Sequence, residues 1–186
     1  MTTIRKQANQ AIRDITATKG RGDRAGMVKA LKALGYEQLG RGCFAVALTH
    51  PERPDVVVKV GQRRAGRSGF SHLRDHFPEY CGFLRDSGTR SKYALKVYHF
   101  DYFSQRNGGT YAAVVERCRA GKGCKAQRSI EASSYAAKGG RWGTEGADPH
   151  ATRFIRRFAH LGKLDLHSAN VMLRANGQPV ITDPLC

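Results

Sequence analysis

No apolar run in the chain approaches the roughly 18 residues of a membrane span, and its first residues, "MTTIRKQANQ", hold no apolar stretch of the secretory kind. A membrane partner is therefore not expected, and the expected compartment is the cytosol in which the chain is made. Cysteines are few and odd in number: Cys43, Cys81, Cys118, Cys124 and Cys186, with no repeated C-x-x-C pair. That argues against a disulfide framework and a zinc site, and they read as reduced thiols. Internal repeats and low-complexity tracts are lacking too. Acidic residues are scarce, 15 Asp plus Glu against 32 Lys plus Arg.

The composition is otherwise that of a folded protein, 40% apolar and 25% charged, which excludes a disordered chain. The 186 residues suffice for one domain, or for two small lobes sharing an interface. The net charge of +17 calls for a polyanionic neighbour: nucleic acid, a nucleotide or an acidic protein surface. A solvated cationic surface is the plainer alternative. Because the basic residues are scattered along the chain, charge does not choose among these.

Periodicity predicts an amphipathic helix over 3–18, with Ile4, Ala8, Ala11, Ile12 and Ile15 on one stripe, and a short helix over 27–34 closed by Gly35. From Tyr36 the pattern turns to strands, "YEQLG", "FAVALTH" and "DVVVKVG", joined at residues 40–42 and at "HPERPD". A helix within 69–84 and two more strands, in "YALKVYHFDYF" and "TYAAVVERC", complete a five-stranded sheet with one inserted helix. Beyond Cys118, helices are expected in "CKAQRSIEASSYAAK" and "HATRFIRRFAHLG", around the glycine-rich "GGRWGTEGADP". Two short strands, "NVMLRA" and "PVIT", flank a turn at Asn176-Gly177.

Several residues stand out chemically. Gly40 and Gly42 lie in the first turn, where bare backbone N–H groups can approach phosphate oxygens, although a G-x-G turn equally suits a tight hairpin. Lys59 interrupts "VVVKV": Val56, Val58 and Val60 share one face, while Val57 and Lys59 share the other, so the ammonium either meets an anion or faces solvent. In "LDLHSANVMLRANGQPVITDP", Asp165, Asn170 and Asp183 are spaced so that a hairpin brings Asn170 and Asp183 to the same end. Their hard oxygens suit magnesium, which takes few protein ligands plus nucleotide phosphates. His167 reads first as a histidine that structures its own loop. His72 and His76, at i and i+4, lack the third ligand of a metal site and read as a solvated helix face.

The glycine turn, the strand lysine, Asp-x4-Asn and the later Asp, in this order over residues 36–184, resemble the protein kinases. More closely, "LGRGCFAVALTHPERPDVVVKVG" with "DLHSANVML" and "ITDP" is similar to the early serine/threonine kinases of short-tailed bacteriophages. The resemblance implies an α+β, minimal bilobal fold, made as a single kinase-like domain: N-terminal helices over 1–35, an N-lobe over 36–118 and a reduced helical C-lobe over 119–186. It implies ATP and Mg2+ as cofactors. The turn residues Gly40, Arg41, Gly42, Cys43, Phe44 and Ala45 would cover the nucleotide, and Lys59 would grip its phosphates. Val115, Glu116 and Cys118 would line the adenine, Asp165 would take the substrate hydroxyl proton, and Asn170 and Asp183 would hold the metal. The implied setting is the cytoplasm of an infected bacterium, with host proteins of transcription and translation as substrates.

Departures from the family pattern carry expectations of their own. Ala45 stands where a third glycine is usual, and Leu164 where an arginine usually precedes the catalytic Asp. The sequence closes three residues after Asp183, so no activation segment is expected. For the acidic partner of Lys59, Glu79 is the first candidate and Asp75 the second. Two other functions stay open. One is a small-molecule phosphotransferase of the aminoglycoside-kinase type, which shares Asp-x-His but fits poorly with a +17 chain. The other is a non-catalytic basic module that binds nucleic acid or a host polymerase.

Overall fold

A computed structural model describes residues 3–20, 22–63, 74–104, 109–121, 123–167 and 169–186. The chain divides into two compact units, one formed by Met1–Pro78 and Lys96–Arg117, the other by Glu79–Leu95 and Cys118–Cys186.

In the first unit, α1 (Thr3–Ala17) and α2 (Arg24–Ala33) precede β1 (Glu37–Arg41), β2 (Ala45–His50) and β3 (Arg53–Gln62). β4 (Val97–Ser104) and β5 (Thr110–Glu116) complete an antiparallel sheet of order β1-β2-β3-β5-β4. The expected five-stranded antiparallel sheet is thus present. Its core lies on one face: Val46, Leu48, Val56, Val58, Val60, Ala112 and Val114 pack with Ala8, Ala11 and Ile15 of α1 and Met27 and Leu31 of α2. Each buried Val, Leu, Ile or Met side chain among them contributes about 1.5–3 kcal/mol. Polar ties fix α1 against β3. Asp14 bridges Arg53 at 2.9 Å and accepts the Tyr36 hydroxyl at 2.9 Å, and Gln7 exchanges two hydrogen bonds with Asp55.

The starts of α2 and β3 differ from the sequence reading. α2 starts three residues before Met27, because Asp23 accepts the Gly26 N–H at 2.7 Å and so caps the helix there. It ends in a Schellman motif: the Gly35 N–H reaches the Lys32 carbonyl, the Tyr36 N–H reaches that of Leu31, and Gly35 lies one residue past the cap at φ +88°. β3 also starts early. Arg53 and Pro54, expected within a turn, already belong to the strand, and Pro51 and Glu52 alone make the bend.

α3 (Phe77–Asp86) gives Phe77 and Pro78 to the first unit and the rest to the second. Asp75 accepts the Phe77 N–H at 3.0 Å, and Pro78 follows in the first turn, where an absent N–H costs nothing. Pro78 therefore opens this helix, and does not end it. The earlier part of the helix expected within 69–84 reaches into 64–73, which lies outside the described residues, as does His72 of the histidine pair. The loop "SQRNGG" likewise falls largely at 105–108, outside them.

The second unit holds α4 (Lys125–Ala137), α5 (Pro149–Arg156) and a small antiparallel sheet of β6 (Arg119–Ala120), β7 (Val171–Leu173) and β8 (Pro179–Ile181), in that order. β6 was not expected; two residues are too few to show a period. The helix expected through residue 162 passes after Arg157 into a 3-10 turn (Ala159–Leu161), as Phe158 and Leu161 bond three residues back, to Ile155 and Phe158. Tyr80, Phe83, Phe154 and Phe158 form an aromatic cluster with ring separations of 5.1–6.4 Å. The Tyr80 hydroxyl, fully buried, donates to the Ile181 carbonyl at 3.0 Å, so it ties this cluster to β8.

Candidate functional site

In the first unit the β1–β2 turn closes when the Gly42 N–H donates to the Ala45 carbonyl at 2.8 Å. Arg24 of α2 donates to the carbonyls of Cys43 and Phe44, at 3.2 and 2.7 Å, and steadies the loop. Arg41, Gly42 and Cys43 are exposed, Phe44 is half-buried and Ala45 is buried. Gly40, expected in the turn, instead belongs to β1 and stands opposite Ala47, just past a register shift after Gln38, and neither it nor Gly42 has a positive φ. A Cβ at Gly40 would meet nothing within 4 Å, and one at Gly42 only the Ala45 carbonyl at 3.8 Å. A tight hairpin that needed glycine would show left-handed backbone. Here the fold makes no such demand, and what glycine supplies is bare backbone with open space above it.

Lys59 stands in β3 between Ala47 of β2 and Ala113 of β5, on the face opposite the buried Val56, Val58 and Val60. Small neighbours leave room around a half-buried ammonium. Its Nζ lies 3.5 Å from the centre of the Phe77 ring, a cation–π contact. Phe77 stacks on Tyr111 at 5.9 Å, and the Tyr111 hydroxyl donates to the buried Asp75, which also accepts the Phe77 N–H. Asp75 therefore builds the support beneath the lysine. Tyr111 in turn lies across β3 where Gly61 has no side chain: a Cβ there would sit 2.1 Å from the ring. Sequence reading missed Phe77, Tyr111 and Gly61. The available signal was a glycine inside a strand pattern, which marks a close approach.

Val115 is buried opposite Val57. Glu116 accepts the Lys96 N–H on its carboxylate at 2.8 Å and donates its own N–H to the Lys96 carbonyl, while the Arg117 N–H goes to Asp55. The backbone N–H groups of Glu116, one of the residues expected to line the adenine, and of Arg117 thus bond within the unit.

In the second unit, Glu79 lies in the first turn of α3, and Cys118 is half-buried just before β6. The loop after the 3-10 turn is clamped by the last strand-like segment: Lys163 and Cys186 exchange backbone hydrogen bonds, and the Asp165 N–H donates to the Pro184 carbonyl at 2.7 Å. From the other side, the Thr182 N–H and hydroxyl both donate to the Asn170 carbonyl, at 2.9 and 3.0 Å. Asp165, Asn170 and the residues on both sides of Asp183 are thereby drawn together.

The side chains take distinct parts. Asn170 Nδ2 donates to the Asp165 carbonyl at 2.7 Å and to Asp165 Oδ2 at 3.2 Å, and it also lies 3.2 Å from His167 Nε2. His167 Nδ1 accepts the Ala169 N–H at 3.1 Å, so the neutral ring carries its proton on Nε2, which faces Asp165 Oδ2 at 3.5 Å. The loop-structuring role expected of His167 is what this bond performs. Asp165 Oδ2 is thus pinned, whereas Oδ1 has no partner among the described residues. With Nδ2 committed, Asn170 presents its amide oxygen. That oxygen and the partly buried Asp183 carboxylate are hard donors of the kind that could hold a magnesium ion completing its shell with phosphates and water. Among the described residues no three His, Cys, Asp or Glu side chains form a full metal cage.

No protein-family model matches the chain. No curated protein matches it either. Among solved structures, a MAP kinase from Leishmania major is similar at a TM-score of 0.44 and 14% identity, over 88% of this chain. The chain spans 50% of that kinase's length.

Proposed function

We propose that the chain is an ATP-dependent phosphotransferase, and within that class a serine/threonine protein kinase, phage-encoded, acting on host proteins in the bacterial cytoplasm. The observation that carries the reading is the asymmetry of Asp165: one carboxylate oxygen is held by Asn170 and His167, and the other is left to take a proton. A base whose orientation is fixed by a third group is what phosphoryl transfer to a hydroxyl needs.

In this reading the substrate hydroxyl gives its proton to Asp165 Oδ1 as its oxygen bonds to the γ-phosphorus of ATP, and the bond to the β–γ bridging oxygen breaks to release ADP. Lys59 neutralises phosphate charge, and the open backbone at Gly40 and Gly42 admits the phosphates. Bound magnesium would offset the charge on the β and γ oxygens, with Asn170 and Asp183 as its protein ligands. The proteins have little covalent work in such reactions, so the acceleration comes from placement and charge. The motifs "DLHSANVML" and "ITDP" support the phage protein-kinase assignment, and the +17 charge disfavours a cationic aminoglycoside as acceptor.

The test is transfer of label from γ-labelled ATP to bacterial proteins by the wild type, Asp165→Asn and Asp183→Ala. Asp165→Asn should lower turnover by roughly 10²–10⁴-fold with its circular dichroism unchanged, and Asp183→Ala should raise the magnesium requirement. Full activity in both variants would remove the kinase reading. Label passing only to aminoglycoside acceptors would remove the protein-kinase assignment.

A further inference from the structure

The mechanism proposed above makes no use of a cluster of positive charge in the second unit. Thr89, Arg90, Ser91, Lys92 and Tyr93 face His150, Arg153, Phe154 and Arg157 across an open cleft of about 470 Å³. Four of the lining residues are Lys or Arg and none is Asp or Glu. Arg90 and Arg153 are exposed and make no ion pair among the described residues. Like charges gathered in one cleft repel each other, so the arrangement gains free energy when an anion enters.

The cations are held in place from below. The Arg157 guanidinium donates to the Thr89 hydroxyl at 3.2 Å and lies 5.5 Å from the centre of the Phe83 ring. Lys92 lies 5.1 Å from the centre of the Tyr93 ring. Arg174 ties the cleft's other wall to the body of the unit through the carbonyls of Lys92 and Ala94, at 2.6 and 2.8 Å.

Spacing then separates the ligand classes. His150, Arg153 and Arg157 follow at i, i+3 and i+7, one side of α5 and its cap. That row runs about 10 Å along the axis at 1.5 Å per residue, the length of roughly three extended residues. A single phosphate would draw on one end of such a row; carboxylates along a peptide would meet all of it. Nucleic acid single strands bind through basic grooves with exposed aromatic platforms, and the two aromatics here, Tyr93 and Phe154, are 2% and 3% exposed.

We infer that this cleft is a docking site for an acidic peptide segment of a protein partner. Use of the site to recruit a phosphorylation substrate rests on the kinase reading; the binding itself does not. It also gives the +17 charge a local purpose.

The experiment is fluorescence anisotropy with a labelled glutamate-rich peptide, which needs no catalysis, run beside its glutamine counterpart and an oligothymidylate of equal charge. The glutamate peptide should bind, more weakly as salt rises. The double reversal Arg90→Glu with Arg153→Glu should weaken it by roughly tenfold or more. The same reversal at Arg5 and Lys6, exposed on α1, should change it by less than about twofold. Absence of binding would overturn the proposal. So would equal losses in the two double variants, which would mark diffuse charge, or oligothymidylate bound more tightly through Arg90 and Arg153, which would mark a nucleic-acid site.

Discussion

Lys59 and Asp165 carry the two ends of the proposed chemistry, and different forces place them. Lys59 sits on a strand whose flanks are alanines and whose support is a stack of rings, Phe77 on Tyr111, so its position follows from packing. Asp165 sits on a loop with no such stack. Its position follows from hydrogen bonds with Pro184 and Asn170, with His167 Nε2 at 3.5 Å from the carboxylate, and Asn170 in turn depends on Thr182. Packed interiors resist displacement because any shift creates overlap or void. Hydrogen-bonded loops yield by exchanging partners with water, each bond contributing about 0.5–1.5 kcal/mol. Damage to the packing beneath Lys59 should therefore spread through its unit, and damage to the loop that holds Asp165 should stay local.

The largest effect is expected from Gly61→Ala. The new methyl would lie 2.1 Å from the Tyr111 ring, and that ring cannot swing away cheaply: it is buried, stacked on Phe77 and bonded through its hydroxyl to buried Asp75. A loss of about 3 kcal/mol is expected, read as a lower midpoint in urea unfolding. In a Tyr111→Ala background, itself destabilised by loss of a buried ring, Gly61→Ala should cost much less than in the wild type, because the clash is gone. A Gly61→Ala protein with an unchanged midpoint would show that packing does not fix this face of the sheet.

A smaller effect tests hydrogen bonding in the second unit. Asp148 caps α5, accepting the N–H groups of His150 at 2.7 Å and Ala151 at 3.0 Å, and takes the Tyr93 hydroxyl at 2.5 Å. Burial alone would raise its carboxyl, but the Tyr93 bond and the two amides together outweigh that and hold it below the usual value. The Tyr93 hydroxyl is raised, by burial first and then by Asp148. A depressed carboxylate adds stability that is complete above its unfolded pKa of about 3.9 and is lost as pH falls through the folded value. Asp148→Ala should thus cost about 1–2 kcal/mol at neutral pH, and the gap from wild type should narrow below about pH 4. A gap constant down to pH 2 would assign the cost to packing instead.

The same contrast governs what the sequence makes legible. Val56, Val58 and Val60 alternate with Val57 and Lys59, so both the sheet and the face of its lysine can be read from a period of two. Asp165, Asn170 and Asp183 are legible as a spacing, and the hairpin that joins Asn170 to Asp183 as a turn at Asn176-Gly177. The roles of Pro184 and Thr182 are not, since a carbonyl is common to every residue and a threonine hydroxyl has many uses. Phe77 beneath Lys59 is hidden for another reason: the two are eighteen positions apart, and only the tertiary fold sets one on the other.

The smallest effect on stability, and the sharpest separation of fold from function, is expected at Gly40. Its φ is ordinary and a Cβ would meet nothing within 4 Å, so Gly40→Ala should leave the unfolding midpoint within about 0.5 kcal/mol of wild type. If bare backbone at this end of β1 admits phosphate oxygens, the same methyl stands where they approach, and the KM for ATP should rise by roughly tenfold while turnover at saturation holds. A parallel fall in stability would mean that β1 needs glycine at its register shift for its own shape. An unchanged KM at unchanged stability would move the phosphates elsewhere and leave Lys59 as the first unit's sole contribution to holding them.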